Sequence, residues 1–334
     1  MKKISTTIAI GIGFLTTGMD TFGDGWDPGS KASALGSIEE TRHNLTISYN
    51  EQNGFFMDSV RNNYGAICVY CHTPHGANKQ IQAPLWNRTI NNSAYTIYDK
   101  PTTLMRPIGQ PGPNSLTCLS CHDGTITIDS VLNMPGSGLA PGGVGAGSNY
   151  STGTSNIEFL DRWRNNTLGL PSATKHFTLG PELAQGNVDD TCAYCHDKGQ
   201  GTVDAYSAFM LGTDLRNDHP VGVQFPDAFG PGIDFNEPNV KIPGRMAFFD
   251  GNGNGHADTD EVRLYDTGDG YEVECASCHD PHGVPSGGTG TKTRFNPSFL
   301  RVNNGIAVTT DNGSGTSDII SHGPSALCLT CHAK

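Results

Sequence analysis

The chain has 334 residues, of which 35% are hydrophobic and 16% are charged, and its formal net charge is −12. With 43 glycines and 20 prolines, it is poor in aliphatic residues for a chain of about two domains, so we expect only a thin aliphatic core. The acidic charge also makes nucleic acids and acidic membranes poor partners, because like charges repel. We therefore expect mostly coil with short helices and few strands, and an interior filled by something other than aliphatic side chains.

Residues 1–25 predict an export signal. Lys2 and Lys3 precede an apolar stretch over residues 4–15 that is too short to span a membrane, and small residues follow it. No cysteine follows this stretch closely, which argues against a lipid anchor, and no later run is long and apolar enough for a membrane span. We therefore expect a secreted protein that is extracellular or on the outer surface, with the periplasm as the alternative.

Every cysteine of the chain lies in one of five Cys-x-x-Cys-His motifs. This motif attaches c-type haem: two thiols form thioethers to the porphyrin, and the adjacent imidazole becomes the proximal iron ligand. Five motifs therefore predict five covalent haems, whose flat apolar surfaces would form the core. The predicted attachment residues are Cys68, Cys71 and His72; Cys118, Cys121 and His122; Cys192, Cys195 and His196; Cys275, Cys278 and His279; and Cys328, Cys331 and His332.

Three other uses of paired cysteines are less consistent with this pattern. Structural zinc needs four ligands, usually from two Cys-x-x-Cys pairs, and does not explain a histidine after every pair. A thioredoxin-like redox site needs only one such motif. A disulfide scaffold would not space its thiols so regularly. Haem attachment is the interpretation that accounts for all ten cysteines.

An internal repeat relates the two ends of the chain. CVYCHTPHG at Cys68 matches CASCHDPHG at Cys275, and each is followed by a second motif, CLSCH at Cys118 and CLTCH at Cys328. The segments between the motifs also match, as APLWNR and PSFLRV. Each copy of the repeat therefore predicts a module that holds two haems.

The repeat suggests a division of the chain after the signal. We predict an N-terminal two-haem module over residues 26–135 and a C-terminal two-haem module over residues 208–334. The motif at Cys192 falls between them, in an inserted one-haem segment over residues 136–207.

Histidines outside the motifs are candidates for the sixth iron position. Five of the twelve histidines are proximal ligands, and the remaining ones are more numerous than the five sixth positions to be filled. His75 and His282 each follow their motif as CxxCHxPH, beside their own haem, where they can ligate the neighbouring iron. His43 and His219 hold equivalent places upstream of the two modules. If two imidazoles close every iron, no site remains for a small substrate, and the protein is an electron carrier rather than an enzyme.

The fifth distal ligand has two candidates, His176 and His322. His176 is favoured because it precedes Cys192 closely in the chain. Methionine ligation remains an alternative, although no methionine recurs at equivalent places in the two modules.

Residues 250–261 predict a calcium site. They read DGNGNGHADTDE and fit the EF-hand loop pattern, with hard oxygen ligands and a glycine at the sixth position. The flanking segments look extended, so we expect an isolated calcium loop that stiffens the approach to the Cys275 haem; the alternative is a polar surface turn. The predicted ligands are Asp250, Asn252, Asn254, the backbone carbonyl of His256, Asp258 and Glu261. This use of His256 excludes it as a haem ligand.

Several strings of the chain together resemble one family. TRHNL, CVYCHTPHGA, APLWN, CLSCHDGT, DHPVG, VECASCHDPHG and LCLTCH, which span residues 43–332, are similar to the secreted multihaem c-type cytochromes of metal-reducing and related bacteria. The resemblance implies a multihaem cytochrome c fold, wrapped around a chain of haems that are low-spin and ligated by two histidines. It also implies electron transfer to redox partner proteins or extracellular metal oxides. Members that form conductive filaments can take a sixth ligand from a neighbouring subunit.

Two other functions stay open. A multihaem reductase would need a haem with an open face; the pentahaem nitrite reductases usually replace the histidine of the catalytic motif by lysine, whereas all five motifs here end in histidine. The other alternative is a subunit that docks to an outer-membrane electron conduit, with its acidic surface against a basic partner.

Complete use of cysteine in the motifs predicts the haem content. Mass spectrometry of the denatured, mature protein should find five covalent haems, because thioether bonds survive denaturation. Replacing Cys192 or Cys195 should reduce the number of stably held haems. Fewer than five haems in fully matured, unmutated protein would contradict this count.

Overall fold

The structure, a computed structural model, describes part of the chain. The described residues are 38–46, 64, 66–99, 106, 108–133, 178–179, 192, 210–285, 295–302 and 325–333. The expected export signal over residues 1–25 and nearly all of the inserted segment 136–207 lie outside them. The site residues that also lie outside them are His176, Cys195, His196 and His322.

Short helices carry three of the motifs. Helix α1 spans Pro113–His122, α2 spans Cys275–Cys278 and α3 spans Ala326–Cys331. The Cys68 motif instead begins in a 3-10 turn, Ile67–Tyr70, and two further turns span Ile38–Glu40 and Pro297–Phe299. A helical turn places residues three apart on one side, so the two thiols of each motif face the same way.

The start of each helix follows from its sequence. Pro113 occupies the first turn of α1, where its missing N–H costs nothing. The Ser325 hydroxyl caps α3 by accepting a hydrogen bond from the Cys328 N–H at 3.3 Å. In the described residues no helix is long and apolar enough to cross a membrane.

Five short strands form one antiparallel sheet in the C-terminal part. They are β1 (Val223–Gln224), β2 (Val240–Ile242), β3 (Met246–Phe248), β4 (Arg263–Asp266) and β5 (Tyr271–Val273), in the order β1-β5-β4-β3-β2. The register pairs Ala247 with Leu264 at its centre, and both are fully buried. Strand β5 runs directly into α2, so the sheet fixes the position of the Cys275 motif.

The hydrophobic core is divided into small clusters. One contains Tyr64, Tyr70 and Val131, a second contains Tyr95, Leu119 and Leu215, and a third, under the sheet, contains Phe225, Ala247 and Leu264. Coil, short helices and few strands make up the described part of the chain. The assignment of this fold to the multihaem cytochromes c stays a prediction.

A buried carboxyl joins the two helices that come from different modules. Glu274, 1% exposed, lies at the N-terminus of α2, and its Oε1 accepts a hydrogen bond from the Gly112 N–H at the N-terminus of α1, at 3.0 Å. The Ser115 hydroxyl of α1 accepts one from the Cys275 N–H at 2.8 Å. Glu274 Oε2 has no hydrogen-bond partner in the described part of the chain. Burial therefore dominates, and it raises the pKa of Glu274 from 4.5 to about 7.

This raised pKa predicts a loss of stability between about pH 4.5 and 7. Over that range the unfolded carboxyl releases its proton while the folded one keeps it, so unfolding becomes easier as the pH rises, by roughly 3 kcal/mol at most. Glu274→Gln should remove the loss, because the amide keeps an oxygen for Gly112 and does not ionise. Denaturant unfolding of both proteins across this range measures the difference.

The control for this experiment is Glu237→Gln, which changes an exposed carboxylate that pairs with Lys241 of strand β2. It should leave the pH dependence of the unfolding free energy unchanged. Parallel pH profiles for Glu274→Gln and the unmutated protein would contradict the account of Glu274.

Candidate haem and calcium sites

The motif histidines of the two modules are oriented by the same kind of hydrogen bond. His72 Nδ1 donates to the Pro84 carbonyl at 2.9 Å, and His279 Nδ1 donates to the Ser298 carbonyl at 2.7 Å. Pro84 and Ser298 hold matching places in the APLWNR and PSFLRV segments. With Nδ1 as donor, Nε2 carries the free lone pair, which is the arrangement that a metal-binding histidine needs.

The segments that supply these carbonyls share an unusual backbone. Leu85 and Phe299 hold equivalent places and have φ of 52° and 60°, in the left-handed region that disfavours residues with side chains. Their carbonyls accept hydrogen bonds from the N–H groups of Thr73 and Asp280, at 2.9 and 2.8 Å. Local strain of this kind persists where surrounding structure holds it, and it is common at functional sites. Both modules therefore position the motif histidine in the same way.

Two motif histidines face distant histidines that the sequence proposes as distal ligands. His122 lies opposite His43, with ring centroids 6.2 Å apart and an interplanar angle of 72°. His72 lies opposite His282, with centroids 6.4 Å apart and an angle of 10°. His282 thus pairs with the motif histidine of the other module and not with the His279 of its own motif.

The spacing of these pairs fits a shared iron. An iron binds an imidazole nitrogen at about 2 Å and the ring centroid lies about 1 Å behind that nitrogen, so two axial rings have centroids about 6 Å apart. The Nδ1 atoms of the distal rings are also engaged: His43 donates to the Pro281 carbonyl at 2.8 Å, and His282 donates to Asp280 at 2.8 Å. Their Nε2 atoms are left for a metal.

The protonation of His43 also suits an iron ligand. Burial and the neighbouring His122 lower the pKa of His43 to about 4, against the hydrogen bond to the Pro281 carbonyl, which raises it. Burial also lowers the pKa of His279. Both rings are therefore neutral at neutral pH, as metal ligation requires.

The other predicted ligands stand apart from these pairs. His75 and His219 are exposed, and no ring contact joins either of them to a motif histidine in the described part of the chain. His219 Nδ1 donates to the neighbouring Pro220 carbonyl at 3.0 Å. Among described residues no histidine ring faces His279. The Phe235 ring packs against His332, with centroids 4.9 Å apart.

The eight cysteines of the Cys68, Cys118, Cys275 and Cys328 motifs are free thiols. Burial is the main cause that raises the pKa of Cys71 and Cys331 to about 12 and that of Cys278 to about 11. These three thiols therefore stay protonated at neutral pH when no metal or haem is bound. Thioether formation replaces the thiol proton by carbon, so a buried, uncharged sulfur suits it.

Two of the motifs adjoin across the modules. The Ser115 hydroxyl, in the helix that carries Cys118, accepts a hydrogen bond from the Cys275 N–H at 2.8 Å. The Cys118 and Cys275 thiols interact directly, and this interaction is the largest cause that raises the pKa of Cys118 and lowers that of Cys275. Haems attached at these two motifs would therefore be neighbours.

Apolar surface is exposed where haems would lie. Leu85 is 54% exposed beside the Pro84 carbonyl that holds His72, and Leu211 is 39% exposed and donates its N–H to the His122 carbonyl. Leu329, 36% exposed, lies inside the Cys328 motif. A macrocycle bound at these histidines would cover such side chains.

A buried donor lies near the first of these sites. The Trp86 ring lies 5.9 Å from the His72 ring, and its indole N–H has no partner in the part of the chain that the structure describes. Buried donors normally have partners, and a haem propionate is an acceptor of suitable chemistry. The chain's own residues therefore fit the group that the motifs predict.

The predicted calcium loop closes the β3–β4 hairpin, with strands and not helices on both sides. The two Asp250 carboxylate oxygens accept hydrogen bonds from the N–H groups of Gly253 and Gly255, at 2.6 and 2.8 Å, and the Gly255 bond is the largest cause that lowers the pKa of Asp250. The side chains of Asn252 and Asn254 both meet Asp258 Oδ2, at 2.7 and 2.8 Å.

Glu261, the last residue of the loop, also accepts hydrogen bonds from N–H groups of the loop. Its Oε1 accepts from the Gly251 N–H at 2.8 Å and its Oε2 accepts from the Asp258 N–H at 3.0 Å. The His256 carbonyl, proposed as a ligand, accepts from the Asp258 N–H at 3.0 Å. In the described residues no group of three or more His, Cys, Asp or Glu side chains converges as a metal centre. Calcium binding stays a prediction that rests on the loop pattern.

Sequence reasoning missed two buried residues at these sites, Asp280 and Arg301. Arg301 donates to the carbonyls of Ala276 and Thr259, both at 2.9 Å, and so connects the Cys275 motif with the end of the calcium loop. It also contacts Asp280, the acceptor of the His282 ring. Burial raises the pKa of Asp280, but the bond from His282 and the charge of Arg301 lower it to about 2, so Asp280 is ionised. The signal in the sequence was the change from CHTPH to CHDPH.

Comparison of the chain with models of protein families and with curated proteins produced no match. The family resemblance therefore rests on the motifs themselves.

The calcium loop predicts a chelator-sensitive stability. Removing calcium should lower the melting temperature while the haem spectrum stays low-spin, because a ligand that binds only the folded state stabilises it, by about 2.7 kcal/mol at a hundredfold excess over its Kd. Asp250→Ala combined with Glu261→Ala should abolish this sensitivity. Thermal unfolding with and without chelator measures both effects.

A matched control for the calcium experiment is Asp214→Ala combined with Asp227→Ala. Both are exposed carboxylates outside the loop, and their removal changes the net charge equally, so the chelator response should persist. If metal analysis finds no calcium in the unmutated protein, the loop prediction is wrong.

Proposed function

We propose that this protein is an electron carrier with five covalently attached c-type haems, which transfers electrons outside the cytoplasm to redox partner proteins or extracellular metal oxides. The observation that carries the proposal is the pairing of His122 with His43 and of His72 with His282, at 6.2 and 6.4 Å. Each pair joins a motif histidine to a histidine far away in the chain, at the spacing of two axial ligands. Bound haem supplies one-electron chemistry at its iron.

Two histidine ligands at an iron would leave no coordination position for a substrate. His43 is held by the Pro281 carbonyl and stacks on the Phe299 ring at 4.3 Å, and His282 is held by Asp280. If haem is bound, rings fixed in this way would hold the iron from both sides and would leave no vacant position for a small molecule. Such a site exchanges electrons and does not turn over a substrate.

Neighbouring attachment sites support transfer between haems. The Cys118 and Cys275 motifs adjoin across the two modules, and His282, which follows the Cys275 motif, lies opposite His72 of the Cys68 motif. Haems held at these motifs would be neighbours, and that favours stepwise transfer. The inserted motif at Cys192 would add a fifth site, whose surroundings lie outside the described residues.

One observation favours a second candidate function, a multihaem reductase. His279 has no histidine ring opposite it in the described part of the chain, so the haem at Cys275 has no assigned sixth ligand. A vacant sixth position at this haem would make it a substrate site. A ligand from a neighbouring copy, as the resemblance implies for filaments, would close it instead. The spin state of the ferric irons separates these alternatives.

The proposal predicts the effect of removing a distal ligand. His43→Ala and His282→Ala should each convert about one fifth of the iron to high spin, because each leaves one of five irons with an open position. Electron transfer between neighbouring haems should slow as well. Ferric absorption and electron paramagnetic resonance spectra measure the high-spin fraction. The rate at which the reduced protein is oxidised by an electrode or by ferric oxide measures electron transfer.

The matched control is His256→Ala, which removes an exposed histidine that is assigned to no iron. It should leave the spectrum low-spin. A substantial high-spin population in the unmutated protein, together with rapid turnover of nitrite or hydroxylamine, would overturn the carrier proposal in favour of the reductase.

A further inference from the structure

The hydrogen bond of His282 differs from those of the other oriented histidines. The structure gives the Nδ1 contacts of five histidines at these sites, and four of them face backbone carbonyls. His282 Nδ1 alone among the five faces a carboxylate, Asp280 Oδ1, at 2.8 Å. The same oxygen accepts the His282 backbone N–H at 3.1 Å. Asp280 therefore fixes both the backbone and the ring of His282.

Asp280 is itself held rigidly in a buried setting. Its side chain is 8% exposed, and its second oxygen contacts Arg301 Nη1 at 3.1 Å, whose side chain is 4% exposed. Arg301 in turn donates to the Ala276 and Thr259 carbonyls. A carboxylate fixed in this way cannot turn from the His282 ring towards water, so its effect on the ring is permanent.

The equivalent position in the N-terminal module carries no charge. Thr73 takes the place of Asp280, since its N–H makes the matching bond to the Leu85 carbonyl, and its hydroxyl donates to the His75 carbonyl at 2.7 Å. Asn87 takes the place of Arg301. The carboxylate and its arginine thus distinguish the two copies of the repeat, and among the described residues no carboxylate bonds to the His75 ring.

A carboxylate acceptor changes the donor strength of an imidazole. It draws the Nδ1 proton towards itself and so increases electron density at Nε2, which raises the basicity of the ligand. A more basic ligand stabilises the ferric over the ferrous state, and hydrogen bonding of this kind is one of the means by which a protein sets haem potentials. The positive charge of Arg301 offsets part of this effect but keeps the carboxylate ionised and in place.

We propose that Asp280 is a positioning residue for the haem attached at Cys68 and Cys71: it holds the His282 ring parallel to His72 and lowers the reduction potential of that haem. This inference rests on the proposed function. The haem ligated by His72 and His282 then has a lower potential than the haem ligated by His122 and His43, because the His43 ring donates to the neutral Pro281 carbonyl. The C-terminal module thereby sets the potential of a haem in the N-terminal module.

The test is a redox titration of the haem-loaded protein followed by electron paramagnetic resonance. Parallel axial rings split the iron d orbitals that bond with them, whereas nearly perpendicular rings leave these orbitals close in energy, so angles of 10° and 72° should give distinct low-spin ferric signals. In the unmutated protein the parallel-ring signal should be lost at the lower potential of the two. Loss at the higher potential would overturn the inference without any variant.

Asp280→Asn should raise the potential of that haem most, because the amide keeps a hydrogen-bond acceptor for His282 but loses the charge, which reaches His43 only through space. A tenfold loss of ferric preference corresponds to about 59 mV for one electron. Combining it with Arg301→Gln avoids a buried unpaired arginine and should give the same direction of shift. Asp227→Asn, which removes an exposed carboxylate, should shift no potential.

The outcomes separate this inference from the proposed function. Five low-spin haems with unshifted potentials in Asp280→Asn would overturn the role of Asp280 and leave the electron carrier intact. The proposed function itself would be overturned if the unmutated protein held fewer than five haems or had high-spin iron at the His72 site. A shift that is largest at the parallel-ring haem supports both.

Discussion

Residues 280–282 hold the two histidine pairs in place, and the arrangement of the attachment sites depends on them. The Pro281 carbonyl orients His43 opposite His122, and the adjacent His282, held by Asp280, lies opposite His72. One short turn of the C-terminal module therefore positions the distal side of both irons proposed for the N-terminal module. The N-terminal module therefore depends on the C-terminal module to orient His43 and to supply His282, so we expect the two to fold and mature together.

The remainder of the described fold supports this turn. Strand β5 leads into α2 and fixes the Cys275 motif, and Arg301 connects that motif with Asp280 and with the end of the calcium loop. The hydrophobic clusters are small, and apolar side chains such as Leu85 remain exposed beside the motif histidines. Covalently bound macrocycles, if attached as proposed, would supply further apolar contacts to this glycine-rich chain.

The sequence predicts haem attachment from local features, the thiol spacing and the adjacent imidazole, and this stays a prediction. The repeat predicted two equivalent modules, and the structure orients His72 and His279 by equivalent hydrogen bonds. The partner of each distal histidine depends on contacts between distant segments, which spacing does not reveal. His282 was expected to ligate a neighbouring iron, but its pairing with His72 needed the fold. Glu274 and Arg301 were missed because burial decides their importance.

The most direct test of the central claim is an electron cryomicroscopy or crystal structure of the haem-loaded protein. The account predicts that His122 and His43 bind opposite faces of one iron and that His72 and His282 bind opposite faces of another. It further predicts that the Asp280 carboxylate remains within hydrogen-bond distance of His282 Nδ1. Finding the members of either histidine pair on different irons, or a methionine or open position in place of His43 or His282, would contradict the account.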